Sequence, residues 1–62
     1  MAEIIVARIV KEWDRKLLYG EDREYHVIAV WDQEAKIGDR VQYEPDGVNF
    51  GWFEKVIERT NR

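Results

Sequence analysis

Residues 24–32 read Glu-Tyr-His-Val-Ile-Ala-Val-Trp-Asp, and this stretch decides the fold. Its side chains divide by parity into two sets, as the two faces of a β-strand do. One set is Tyr25, Val27, Ala29 and Trp31, and the other is His26, Ile28 and Val30. Because β-branched and aromatic residues favour pleated strands, we predict a strand here rather than a helix.

The rest of the chain repeats this chemistry in short runs separated by polar turns. Thirteen residues are Val or Ile and only two are Leu, a bias that suits strands. The predicted strands are residues 3–14, 15–19, 24–32, 40–44 and 50–59. The predicted turns are Asp14-Arg15, residues 20–23, Ile37-Gly38-Asp39 and Pro45-Asp46-Gly47, the last with Gly47 at positive φ. Residues 33–36 have room for one helical turn at most.

The first run does not alternate cleanly. Ile4, Val6 and Val10 share one parity, while Ile5, Ala7, Ile9 and Trp13 share the other. A strand buried on both sides, or one with a bulge that swaps its faces, gives this pattern. Gly51, inside the last run, indicates a second bulge or a close approach of backbone.

The length of 62 residues allows a single domain over residues 1–62. Five short strands with turns every 8–12 residues are typical of an all-β barrel. Closure also hides strand edges that a small open sheet would leave unpaired. We therefore predict a five-stranded antiparallel small barrel with little or no helix. No cysteine is present, so the fold has no disulfide.

The segment Gly38-Asp39-x-Val41 resembles a turn and strand found in many small barrels. It is similar to the turn before a late strand in OB-fold domains of the initiation-factor-1 and cold-shock kind, and to segments of SH3-like barrels. The resemblance covers about nine residues, 36–44, and implies an SH3-like or a reduced OB-like barrel. The chain departs from both families: the aromatic and basic strand motifs of cold-shock domains are not visible, and residues 33–36 are too few for the usual OB helix.

The sequence carries no catalytic pattern. His26 is the only imidazole and lies in mid-strand, whereas acid–base catalysis needs an oriented histidine in a pocket. Thr60 is the only hydroxyl of the serine class. The paired carboxylates Glu21 and Asp22 lie in a turn, where water solvates them. No phosphate loop or metal-ligand spacing occurs, so we expect no enzyme activity, no cofactor and no metal.

The charge balance is 10 basic against 13 acidic residues, net −3, with both signs interspersed. Binding to duplex DNA through overall charge is therefore not expected. A local basic stripe, Arg8, Lys11, Arg15 and Lys16, surrounds Trp13. Basic residues beside aromatic rings are typical of single-strand binding, so a single-stranded RNA or DNA partner is the alternative interpretation.

The leading interpretation is a non-catalytic module that binds protein, as an inhibitor or adaptor, through exposed aromatics. Phe50 and Trp52 share a face and Phe53 points the other way, so the three rings do not all fit one small core. The predicted contact residues are Trp13, Arg15, Lys16, Trp31, Trp52 and Phe53. Rings beside the basic stripe would favour nucleic acid, and rings on the side of residues 47–53 would favour protein. We expect a cytoplasmic monomer or weak homodimer with no membrane partner.

Overall fold

A computed structural model describes residues 2–60 and contains six β-strands and no helix in that range. The strands are β1 (Ala2–Ile5), β2 (Arg8–Lys11), β3 (Lys16–Tyr19), β4 (His26–Ala29), β5 (Arg40–Pro45) and β6 (Phe50–Glu58). The prediction of an all-β chain is confirmed. The sixth strand arises because the predicted first run divides in two at Val6 and Ala7. No helix within the described residues is long and apolar enough to span a membrane.

The six strands form one curled sheet in the order β1-β5-β6-β4-β3-β2. β1 and β2 lie at opposite ends of this order although only two residues separate them in the chain. The barrel-like curl follows, because those two residues must join the two ends of the sheet. Val6 donates its amide to the Asp39 carbonyl at 2.9 Å and accepts from the Gly38 amide at 2.8 Å, while Ala7 donates to the Tyr19 carbonyl at 2.7 Å.

The division of the first run also swaps its faces, as the irregular alternation predicts. Val6 is 1% exposed and belongs to the core, and Ile4, of the same parity, packs against it. Beyond the break the core residue is Ile9, of opposite parity. The connection through Val6 and Ala7 is therefore where the inward-facing parity changes.

One strand pair departs from the antiparallel prediction. β4 and β6 run parallel, with His26 beside Phe50 and Ile28 beside Trp52. A parallel pair needs a long crossover, and residues 30–49, which include β5, provide it. With β1 and β2 counted as one strand, the third and fifth of five strands are parallel. No helix lies between the third and fourth of these strands in the described residues.

A small core fills the curl of the sheet. Its buried members are Val6, Leu18, Val27, Ala29, Ala35 and Val41, with Ile4, Ile9, Tyr25, Tyr43, Phe53 and Val56 packed against them. The Tyr25 hydroxyl donates to the Phe50 carbonyl at 3.1 Å. Burial, followed by the neighbouring Tyr43, raises the pKa of Tyr25 above its ordinary value. The parity predicted for residues 24–32 is confirmed over β4, since Val27 and Ala29 are buried while His26 and Ile28 are more exposed. The strand ends at Ala29, however, and Trp31, predicted to share the inward face, lies in the following turn and is 46% exposed.

The turns differ from the prediction at one glycine. Gly38 has φ of +99°, and no other described residue has positive φ. Gly47 was predicted to take that conformation, and this is wrong. A Cβ built on Gly47 would lie 2.3 Å from the Phe50 ring, so a larger residue at this position would require that ring to move. At Gly51 a Cβ would lie 2.8 Å from the Glu44 main-chain oxygen, which confirms the close approach of backbone that was one of the two alternatives predicted there.

Candidate binding surfaces

Four rings line the outer side of the sheet, and we call Tyr19, His26, Phe50 and Trp52 the aromatic face. Strand register brings them together, because Tyr19 pairs with His26 and His26 pairs with Phe50. Ring centroids are 5.5 Å apart for Tyr19 and His26, and 6.3 Å apart for His26 and Phe50. Phe50 and Trp52 follow at 6.1 Å, edge to face. The rings thus form one continuous path across three strands.

Trp52 ends this path and is held in a fixed position. Its indole nitrogen donates to Asp46 Oδ2 at 2.6 Å, yet the residue remains 44% exposed. Glu44 lies directly opposite Trp52 in the β5–β6 pair, so their side chains share a face. The hairpin therefore presents an exposed indole beside two carboxylates.

His26 sits near the middle of the aromatic face. Its Nδ1 lies 3.2 Å from the carbonyl oxygen of Glu24. Because a carbonyl only accepts, this hydrogen bond assigns the proton to Nδ1. His26 stacks on Phe50 with an interplanar angle of 22°. The imidazole therefore acts as one more ring of the face.

The opposite end of the aromatic face carries a cation. The Arg8 guanidinium lies over the Tyr19 ring, with its carbon 4.3 Å from the centroid. Elsewhere the borders are mostly acidic. Five carboxylates and two arginines lie in the strands and loops beside the rings: Glu21, Asp22, Glu24, Glu44 and Asp46, with Arg8 and Arg23.

A second surface lies where the β2–β3 and β4–β5 loops meet, and we call Trp13 and Trp31 the loop tryptophans. The Trp31 indole donates to the Trp13 carbonyl at 3.0 Å and so ties the two loops together. The Lys16 ammonium lies 5.9 Å from the centroid of the Trp31 ring. The Trp13 side chain projects into solvent, since the residue is 91% exposed.

Arg15 adjoins the loop tryptophans but is engaged by its neighbour. Its guanidinium donates from Nε to Asp14 Oδ1 at 3.2 Å and from Nη2 to Asp14 Oδ2 at 3.1 Å. These hydrogen bonds from Arg15 lower the pKa of Asp14, and those to Asp14 raise the pKa of Arg15. Part of the basic stripe is thus neutralised locally.

The structure divides the six predicted contact residues among three places. Trp13, Arg15, Lys16 and Trp31 come together around the loop tryptophans, Trp52 lies on the aromatic face, and Phe53 packs against the core. Rings therefore occur both beside the basic stripe and on the side of residues 47–53. The aromatic face was not predicted as a unit from the sequence. Parity places His26 outward, but only the strand order sets it between Tyr19 and Phe50.

Neither surface offers an evident catalytic set. Among residues 2–60, no group of three or more His, Asp or Glu side chains is placed to hold a metal ion. The only imidazole is engaged with a main-chain oxygen and two flanking rings.

Comparison with protein-family models, with curated proteins and with solved structures found no match to this chain.

Proposed function

We propose that this protein is a non-catalytic binding module whose aromatic face binds a basic segment of a partner protein. The observation that carries the proposal is the Trp52 ring, which is exposed, fixed by Asp46 and faced by Glu44. An arginine or lysine of the partner would stack on this indole and meet both carboxylates.

A contact between a cation and an aromatic ring already occurs within this protein, at Tyr19. The Arg8 guanidinium already occupies that ring at 4.3 Å. Tryptophan binds cations through its ring face better than tyrosine does. Among residues 2–60 no cation lies over Trp52 or Phe50, so this end of the aromatic face has room for a cation from outside.

Charge selects the class of partner. The strands and loops that carry or adjoin the rings contain five carboxylates against two arginines, net −3, and this charge attracts a cationic segment and repels phosphates. The hydrogen bond from Trp52 to Asp46 also fixes the indole before binding, so less side-chain entropy is lost when a partner docks. A basic peptide therefore suits the aromatic face better than single-stranded nucleic acid does.

The test is an amide and indole NMR titration with a capped ten-residue peptide of alternating arginine and glycine. We expect shifts at the Trp52 indole, Phe50 and Glu44 that weaken as salt rises. Trp52→Ala should weaken binding about 2- to 30-fold, the range of one cation–π contact. Asp46→Asn should weaken it less, because the ring remains.

Trp13→Ala is the matched control, since it also removes an exposed tryptophan but from the other surface. It should leave peptide affinity unchanged. A peptide with glutamate in place of arginine should not bind. Equal loss in Trp13→Ala and Trp52→Ala would refute the proposed site. Saturable binding of a ten-residue oligothymidylate that shifts Trp13 and Trp31, with no response to the arginine peptide, would establish the nucleic-acid alternative instead.

A further inference from the structure

A separate concavity lies on the inner side of the sheet. The loop between β4 and β5, residues 30–39, folds across the ends of β2 and β3 and leaves an open cavity of about 460 Å³. Its apolar walls are Ile9, Ala35 and Ile37. The aromatic face points the other way, because Ile9 faces the core while Tyr19 faces outward.

The polar lining of this cavity is predominantly basic. Lys11, Lys16 and Lys36 line it, against the single carboxylate of Glu34. The chain has only four lysines, and the fourth, Lys55, lies elsewhere on β6. A protein of net charge −3 thus gathers three of its lysines around one concavity. An ordinary surface of mixed charges does not require three of four lysines to line the same cavity.

Lys16 is the most buried of the three lysines that line the cavity. It is 9% exposed, and its ammonium donates to the Gln33 main-chain oxygen at 2.5 Å. No carboxylate of residues 2–60 forms an ion pair with Lys16, Lys11 or Lys36. An ammonium has three donors, and a buried charge is costly unless it is paired. The Trp31 ring at 5.9 Å compensates it only in part.

We infer that this cavity binds a small organic anion, an alkyl carboxylate or alkyl phosphate. The oxyanion would meet the Lys16, Lys11 and Lys36 ammonium groups, and the alkyl chain would lie against Ile9, Ala35 and Ile37. The volume falls within the range of about 300–1,000 Å³ typical of small-molecule pockets. Aliphatic walls beside converging lysines match a ligand that is apolar at one end and anionic at the other. This inference does not rest on the proposed function, since it concerns a different surface.

The experiment is an amide NMR titration with sodium octanoate and, separately, octyl phosphate, both below their micellar concentrations. We expect saturable shifts confined to Ile9, Lys11, Lys16 and residues 34–37. 1-Octanol and octylammonium keep the chain but remove or reverse the charge, and inorganic phosphate keeps only the anion. Each should bind at least tenfold more weakly. Whichever of octanoate and octyl phosphate binds more tightly identifies the preferred head group.

The variants separate charge at the cavity from charge elsewhere. The double variant Lys11→Gln, Lys36→Gln should weaken octanoate binding at least tenfold, while Lys55→Gln, the matched loss of a lysine outside the cavity, should not. Dispersed spectra of each variant establish that it remains folded. Equal affinity for 1-octanol and octanoate, inorganic phosphate binding as tightly as octanoate, or no saturable shift would overturn the inference. Displacement of octanoate by a lower concentration of oligothymidylate would also overturn it, since the lysines would then bind a nucleic-acid backbone.

Discussion

Asp39 is a buried carboxylate that holds the loop between β4 and β5 to the end of the chain. The residue is 1% exposed. Its Oδ2 accepts the Lys36 amide at 2.9 Å and its Oδ1 accepts the Thr60 amide at 2.8 Å. Asp39→Asn leaves one amide facing a side-chain NH₂ group. We expect a loss of about 1–3 kcal/mol of unfolding free energy, the cost of a buried group left without its partner. Urea unfolding at pH 7 measures it.

The same substitution makes a pH prediction. Burial acts to raise the pKa of Asp39, but the Thr60 and Lys36 amides, with the charges of Arg59 and Lys36, outweigh it, so the pKa lies below the ordinary 3.8. A carboxyl with a lowered pKa in the folded state stabilises the fold above its unfolded pKa, and this contribution is lost as pH falls through the folded value. The stability gap between wild type and Asp39→Asn should therefore be constant well above the ordinary value of 3.8 and should narrow from about pH 5 downward. A gap independent of pH would contradict this assignment.

Among residues 2–60, Gly38 is the one position where the backbone itself requires glycine. Its φ is +99°, and a Cβ there would lie 3.1 Å from Thr60. Gly38→Ala should cost about 1–3 kcal/mol, since side-chain-bearing residues rarely adopt this conformation. Gly20→Ala is the control, because its φ is not in that region and the nearest atom is 3.7 Å away. Thermal unfolding of both variants measures the difference, and equal melting temperatures would mean that the Gly38 turn is not strained by a side chain.

Whether the contacts of a single residue can be predicted from the sequence depends on how far apart the partners lie in the chain. The turn at Gly38 and Asp39 was predictable, because glycine and aspartate favour turns within a few residues. The hydrogen bond from the Thr60 amide to the Asp39 side chain was not predictable, because Thr60 and Asp39 lie 21 positions apart in the chain. For the same reason Phe50 and Trp52 could be placed on one face from parity. Their neighbours Tyr19 and His26 could not be assigned without the strand order.

Among the elements, the break between β1 and β2 determines whether the sheet can curl. Val6 sits at this break, 1% exposed, with its amide and carbonyl both bonded to the loop before β5. Val6→Ala removes two buried methyl groups, and we expect a loss of about 2 kcal/mol from lost burial and the cavity left behind. Val48→Ala deletes the same atoms from a fully exposed hairpin residue and should change stability little. Chemical denaturation compares them, and similar losses for both would show that the break is not a packed part of the fold.

The alternation of inward and outward side chains explains why the break between β1 and β2 was predictable while the parallel β4–β6 pair was not. A change of inward parity between Val6 and Ile9 is visible in the sequence as mixed alternation. Parallel pairing leaves no such local signal in β6, where Gly51 and Phe53 face inward and Trp52 outward, as they would beside an antiparallel neighbour. Yet the parallel register is what places Phe50 beside His26. The parallel β4–β6 pair, which builds the aromatic face, is thus the part of the fold that sequence patterns predict least well.

At the scale of the whole molecule, which measures 31 × 27 × 19 Å, the aromatic face and the lysine-lined cavity carry opposite charge. Carboxylates border the aromatic face, and lysines converge on the cavity on the inner side of the sheet. We therefore expect separate responses to substitution. At 0.15 M salt, where the screening length is about 8 Å, Lys11→Gln with Lys36→Gln should leave arginine-peptide affinity unchanged within about twofold. Trp52→Ala should likewise leave octanoate affinity unchanged.

Lowering the salt concentration should couple the two surfaces through the net charge. The double lysine variant has net charge −5 instead of −3, two positive charges having been removed. In about 10 mM salt the screening length grows to about 30 Å, as long as the molecule itself, so the variant should attract the arginine peptide more strongly than wild type does. Parallel fluorescence titrations at the two salt concentrations measure this. Peptide affinity that rises more than about twofold in the lysine variant at 0.15 M salt would mean that the lysines lie close enough to repel the bound peptide, and the two surfaces would then have to be regarded as one site.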